Sequence, residues 1–167
     1  MRGGVVLATG GFEWDEGLRR SFLRGPLTHP VSVPTNTGDG LRMAMRAGAA
    51  LSVMREAWWY PVVEIPDGRG SMRRYSVMTH LGWPRAIMVN RAGRRFTNES
   101  LNYNALGWAL HEVDAGRQEY ANLPAWVVFD AGHLARYGFL TVPAGAEAPD
   151  WMARGRTPEA LAETDEF

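Results

Sequence analysis

Residues 3–11, Gly3-Gly4-Val5-Val6-Leu7-Ala8-Thr9-Gly10-Gly11, read as a short, unbroken apolar strand that runs into a glycine pair. An apolar run without alternation is the pattern of a strand covered on both faces. Such a strand needs neighbours. Only Met1 and Arg2 stand before it, and the residues after it lead elsewhere: 13–24 predict a short polar helix, and Pro26, Pro30 and Pro34 mark an irregular connection. The expectation is an interior strand whose partners lie outside this chain.

Composition narrows the classes of function. With 167 residues, 46% of them hydrophobic and 22% charged, the chain has the make-up of a globular protein that can bury a core. Lys plus Arg and Asp plus Glu are both 18, so no net cationic field attracts a polyphosphate, and nucleic acid is not an expected partner. Every one of those cations is Arg, which excludes a Schiff-base lysine. Cysteine is absent, which excludes disulfides, thiolate metal sites and a cysteine nucleophile and is compatible with the cytoplasm, the expected compartment. Uncharged stretches such as residues 25–38 are broken by proline and fall short of the ~20 apolar residues of a membrane span. The apolar run at 5–8 is too short for a signal peptide.

Along the rest of the chain a helix is predicted from residue 37, with Thr37 as cap, Asp39 in the first turn, and Leu41, Ala44, Met45 and Gly48 on one stripe. Glycines 68, 70 and 82 with Pro66 and Pro84 predict a loop-rich middle. Ile87-Met88-Val89 and Arg94-Arg95-Phe96-Thr97 flank Asn90-Arg91-Ala92-Gly93, which predicts a hairpin with a four-residue turn. Residues 102–117 predict a helix, 125–129 a strand, and Asp130 caps a short helix at 133–137. A last helix is predicted at 157–163, with Thr157 as cap and Pro158 at its first position.

Several chemistries find no support. The four histidines, His29, His80, His111 and His133, form no i,i+4 pair and lack metal-ligand spacing, and Ser52 and Ser76 have no strand-to-helix elbow. The corner Ala8-Thr9-Gly10-Gly11 has two readings. Glycines let a backbone approach a ligand closely, as a dinucleotide at the carboxyl end of a strand requires, or they serve a tight turn, which the segment alone favours. Asp39 is a first-turn carboxylate or an acceptor for a sugar hydroxyl; being acceptor-only, it repels phosphate. Aromatic side chains crowd Trp58, Trp59 and Tyr60, with Tyr75, Trp83 and Tyr103 beyond. Tryptophans are usually core, yet three consecutive aromatics cannot all face one side of an extended segment.

Three ordered motifs together resemble the fumarate-reductase-like flavoproteins: Ala-Thr-Gly-Gly-Phe at 8–12, Asn-Thr-Gly-Asp-Gly at 36–40 with Ala47-Gly48-Ala49 after it, and Ile-Met-Val-Asn-Arg-Ala-Gly-Arg-Arg-Phe-Thr-Asn-Glu at 87–99. Within that superfamily, Ala57-Trp58-Trp59-Tyr60-Pro61, the Asn98-Glu99 pair with Tyr103 four residues on, and Val128-Phe129-Asp130 resemble the 3-ketosteroid 1-dehydrogenase branch. The resemblance implies an α+β (α/β) chain. Residues 1–55 would be part of a Rossmann-like domain for flavin adenine dinucleotide (FAD). Residues 56–167 would be a C-terminally truncated capping domain over the substrate. It implies that Ala8, Thr9, Gly10, Gly11 and Asp39 contact FAD and that Trp58, Trp59 and Tyr60 meet the substrate. Tyr103 would take a proton.

The same resemblance implies that a Gly-x-Gly-x-x-Gly unit and a C-terminal glycine-rich segment are missing, so that a separate chain carrying them would be a partner and the isolated chain would be inactive. Where the succinate and fumarate enzymes have a His-Pro that holds a dicarboxylate, this sequence has Tyr60-Pro61. That departure points to a flat, apolar, steroid-like ketone, with the electron acceptor left open. Arg85, Arg91, Arg94 and Arg95 keep an organic acid as the alternative substrate. A phenol works as a base only where its anion is stabilised; Arg94 and Arg95 are the candidates for that.

Overall fold

The computed structural model of the chain describes residues 3–152. It mixes short helices and strands, and divides into two compact units, Met1–Ala57 and Trp58–Phe167.

In the first unit residues 3–10 are exposed and join no sheet, with Val5 86% and Val6 90% accessible. The apolar pattern of a covered strand is present, but no described strand pairs with it. Helix α1 (Glu16–Phe22) starts where Asp15 accepts the Leu18 N–H at 2.7 Å. Helix α2 (Asp39–Arg46) differs from expectation at its start: Gly38, at φ +83°, is the cap, and the Thr37 hydroxyl turns to Asp39 at 3.4 Å instead of capping. Gly38 is required there twice over, because a Cβ would strike Leu18 and Phe12 as well as meeting the positive φ. The stripe of α2 is not buried, since Met45 and Gly48 are exposed. Polar stitches hold the unit instead. The Trp14 indole N–H donates to the Ser32 carbonyl at 3.1 Å, Trp14 N–H to the Asn36 carbonyl at 3.1 Å, and Arg42 of α2 pairs with Asp15 at 2.6 Å.

The second unit has a packed core. Strand β1 (Val62–Pro66) and strand β2 (Met72–Ser76) form an antiparallel hairpin, Val62 opposite Ser76, in the region predicted as loops. Its tip is an Asp67 turn, with Oδ1 accepting the Arg69 and Ser71 N–H groups. After helix α3 (Met78–Leu81), strand β3 (Ala86–Asn90) pairs antiparallel with strand β6 (Ala125–Phe129).

The predicted 87–97 hairpin therefore needs correction. Its turn forms, with Gly93 at φ +68° and Asn90 N–H donating to the Arg94 carbonyl at 3.0 Å, but its return arm is one bridge, Val89 to Arg95. The cause is Glu99, whose carboxylate accepts the Met88 N–H at 2.8 Å, the donor that a return strand would have used.

Helix α4 (Tyr103–Leu110) is capped by Asn102, which accepts the Ala105 N–H at 3.0 Å. It stops short of the predicted residue 117. Asp114 Oδ1 there accepts the N–H groups of Gly116 and Arg117, which builds the small hairpin of β4 (Val113–Asp114) and β5 (Glu119–Tyr120). Helix α5 (Ala131–Tyr137) begins on the Asp130 cap, as expected. Val77, Leu81, Met88, Leu106, Leu134, Phe139 and Val142 form the buried cluster under these elements. The predicted helix at 157–163 lies outside the described residues.

Candidate functional site

Two groups of predicted residues are brought together locally, one in each unit. In the first, the glycine corner lies against the first turn of α2. Thr9 Oγ1 occupies the place where a Gly40 Cβ would stand, Asn36 Oδ1 that of Gly10, and Glu13 Oε2 that of Gly11. Gly10, at φ +84°, tolerates no side chain. Asn36 Nδ2 donates to Glu13 Oε1 at 2.8 Å. Burial pushes the Glu13 carboxyl up, but hydrogen bonds from Ser32 and Asn36 outweigh it and hold the group below its usual value.

The close approach that the glycines permit is thus largely loop against helix. What remains accessible is one edge: Ala8, Thr9, Gly10 and the carboxylate of Asp39. That edge fits one wall of a dinucleotide site, with main chain free of bulk beside an acceptor for a ribose or ring N–H.

In the second unit, the expected aromatic run splits by residue. Trp58 is 80% exposed, its ring centroid 6.1 Å from that of Tyr103 at 52°. Trp59 points the opposite way and is 5% exposed, so it is a buried support and not a wall open to a ligand. Tyr60 is half-buried.

Trp59 rests on α4. Asn104 Oδ1 accepts its backbone N–H at 3.2 Å, Gly107 leaves room for its Cβ, and His111 packs edge-on to its ring at 4.6 Å and 84°. Sequence reasoning misses these three residues, although a glycine inside a predicted helix is a signal of close approach.

It also misses Asn122, and it names Glu99 only as part of a motif, without the buried role that its 4% exposure gives it. Burial pushes the Glu99 carboxyl up, yet the Arg95 guanidinium, at 2.6 Å, and the Met88 N–H bring it below its ordinary value. Asn122 donates to the Ala109 carbonyl at 2.9 Å and accepts from Asn90 at 2.9 Å, tying α4 to the turn after β3.

Arg95 is committed to Glu99, which corrects its candidacy as a stabiliser of a phenolate. Arg91 lies 3.9 Å from Glu119 and Arg85 3.6 Å from Asp130, so these two also face carboxylates of the chain itself. Among the described residues no cluster of three His, Asp or Glu could hold a metal, and no helix is long and apolar enough to cross a membrane.

Comparison with known proteins places this geometry. The chain belongs to the FAD binding domain family, which it matches over residues 1–164. It is 47% identical over 163 residues to the 4-oxocyclohexanecarboxylate 2-dehydrogenase of Sinomonas cyclohexanicum, covering 95% of this chain and 28% of that protein. It is 36% identical over 162 residues to the 3-oxosteroid 1-dehydrogenase of Mycobacterium tuberculosis, covering 92% and 27%. The crystal structure of 3-ketosteroid delta1-dehydrogenase from Sterolibacterium denitrificans, in complex with 1,4-androstadiene-3,17-dione, superposes with a TM-score of 0.75 at 32% identity, covering 89% and 27%. The chain thus spans little more than a quarter of the length of these relatives, and FAD is the cofactor that its family indicates.

Proposed function

We propose that this chain is the substrate-facing segment of a flavin-dependent dehydrogenase that introduces a double bond beside the ketone of a ring substrate. The observation that carries the reading is the exposed pair of Tyr103 and Trp58, at 6.1 Å, on a unit whose core lies behind it. The proteins similar to it that are named as dehydrogenases of a cyclohexanone acid and of a ketosteroid both act, by their names, on ring ketones, which supports the shared reaction. The substrate class is a flat cyclic ketone, steroid-like or smaller. An organic acid without a ring finds less support, because three of its four candidate arginines, Arg85, Arg91 and Arg95 but not Arg94, face carboxylates of the chain itself.

In this reading FAD, when bound, would supply the acceptor for the hydride of one ring carbon. The chain supplies the rest. Tyr103, as its phenolate with Arg94 the remaining candidate to stabilise it, takes the proton from the neighbouring carbon and becomes the neutral phenol; the electron pair of that C–H bond becomes the second bond of the C=C as the hydride leaves, and the Trp58 ring gives the substrate an apolar face at low entropy cost. Ala8, Thr9, Gly10 and Asp39 would hold the cofactor, with Gly11 behind them against Glu13. Tyr60 borders the substrate region, and Trp59 acts from behind.

These cofactor contacts are few. At about 0.5–1.5 kcal/mol net for each hydrogen bond, they do not offset the several kcal/mol lost on immobilising so large a ligand. The 167-residue chain alone is expected to be colourless and to bind FAD no tighter than about millimolar. The other cofactor-binding parts, those that relatives carry outside the matched quarter, complete the site, and a separate chain is one way of supplying them.

The test is dye reduction with a 3-ketosteroid and with 4-oxocyclohexanecarboxylate, after the parts that relatives carry outside the matched quarter have been supplied. Tyr103→Phe should lower kcat at least about 100-fold. Unchanged turnover in that variant would remove Tyr103 from the chemistry.

A further inference from the structure

Two residues of the candidate site and their two immediate neighbours have opposite fates. Trp58 and Tyr103 are exposed and face each other; Trp59 and Asn104, each one residue further on, meet behind them. In an extended segment successive side chains point to opposite sides, so the position of Trp59 dictates that of Trp58. At the start of a helix the direction of Tyr103 is likewise fixed by whatever holds the first turn.

One side-chain oxygen ties the main chain of the segment to the helix. Asn104 Oδ1 accepts the Trp59 N–H at 3.2 Å, while Gly107 and His111, on the same stripe at i+3 and i+7, seat the Trp59 Cβ and ring. Packing at Gly107 and His111 sets how far the two elements stand apart. A hydrogen bond is directional, so it adds a fixed register to the separation that the packing sets.

We propose that Asn104 is a positioning residue for Tyr103: by holding the Trp59 main chain, it sets the spacing between the Tyr103 phenol and the Trp58 ring. This inference rests on the reading of Tyr103 as the proton acceptor, and it adds a residue that touches neither substrate nor cofactor. Asn104 is half-buried and its amide has a partner, so its role is geometric rather than acid–base. Proton transfer demands a near-attack separation, and a misplacement of about 1 Å can cost 100-fold in rate.

The experiment has two readouts. The first is NMR of the 167-residue chain with labelled Tyr and Trp, following the cross-peaks between the Tyr103 and Trp58 rings. The second is turnover of a cyclic ketone by the flavin-loaded protein that contains this segment. Asn104→Ala removes the acceptor, and Asn104→Ser keeps polarity but is too short to reach, so the second variant serves if the first fails to fold. Asn104→Asp keeps the acceptor oxygen; as it adds charge beside Tyr103, its turnover is compared at its own pH optimum.

The expected result is loss of the ring cross-peaks in the Ala and Ser variants, with kcat down roughly 10- to 100-fold and little change in KM. Asn104→Asp should restore both the cross-peaks and kcat. Cross-peaks and kcat that survive in Asn104→Ala or Asn104→Ser, while Tyr103→Phe is dead, would overturn this inference and leave the function standing. Turnover that survives Tyr103→Phe would overturn the function itself.

Discussion

The glycine corner of the first unit and the Trp59 seat of the second both rely on a missing Cβ, but what stands behind them differs. At Gly10 and Gly11 the space is filled by the ends of Asn36 and Glu13, flexible polar side chains, and Leu18 is the buried large apolar residue of that unit among the described ones. At Gly107 the space is filled by the Cβ and backbone of Trp59, and Leu106 beside it belongs to a cluster with Val77, Leu81, Met88, Leu134, Phe139 and Val142. A polar loop can yield to a ligand or a partner, whereas a packed seat holds a side chain in place. The first arrangement suits a wall that others complete. The second suits a side chain that must stay where it is.

The contrast is tested most severely by cutting into each core. Leu106→Ala should cost about 2–5 kcal/mol, toward the upper part of the range because the site is fully enclosed. Leu18→Ala should lie near the lower end, about 2 kcal/mol. Urea denaturation of both variants measures the difference, and equal costs would mean that the first unit is packed as well as the second. Glycine gives the next test. Gly107→Ala drives a methyl group into Trp59, whose Cβ cannot swing away, and should cost about 1–3 kcal/mol. Gly11→Ala displaces only the carboxylate of Glu13 and should cost about one hydrogen bond, 0.5–1.5 kcal/mol.

How much of this is legible in the sequence depends on how local the cause is. The Asp130 cap, α1 and β6 follow from neighbouring residues and are readable, as is the turn at Asn90–Gly93. The return arm of that turn is not, because it fails for lack of one donor, Met88 N–H, which is taken by a carboxylate eleven residues away. Helix α4 reads too long because Asp114 competes for the backbone, a local signal that apolar content outweighs. Trp58 and Trp59 look equivalent as a pair. Which of them faces out is decided by Asn104 and Gly107, some 45 residues on, and no periodicity in the 58–61 segment encodes that.

Acid separates the units by a smaller effect. In the second unit His80 accepts the Leu140 N–H at 3.1 Å through Nε2, and burial, with His133 nearby, lowers its affinity for a proton below the ordinary value of 6.5. The unfolded chain therefore takes up a proton near pH 6.5 that the folded one refuses. Stability is full above that pH and declines as the pH falls toward the folded value. Glu13, in the first unit, has its carboxyl held below 4.5, so its contribution persists until the pH falls below about that point. Hydrogen exchange followed from pH 7.5 to 5 should show the second unit losing protection first, and His80→Gln should flatten that loss. Loss in the first unit first would reverse the assignment.

The smallest expected change in stability concerns the exposed strand-like segment. Val5 and Val6 are almost wholly accessible and join no sheet, so replacing one of them removes no packing and should alter the folding free energy by less than about 0.5 kcal/mol. Association is another matter. An exposed apolar segment with unpaired main-chain groups is a template for pairing with a second copy, and a lysine on such an edge opposes that pairing through charge and the cost of burying it. Val6→Lys should leave the thermal midpoint where it was and shift the chain toward monomer in light scattering at equal concentration. A lowered midpoint would show that Val6 is covered in solution, and that the first unit packs its leading segment after all.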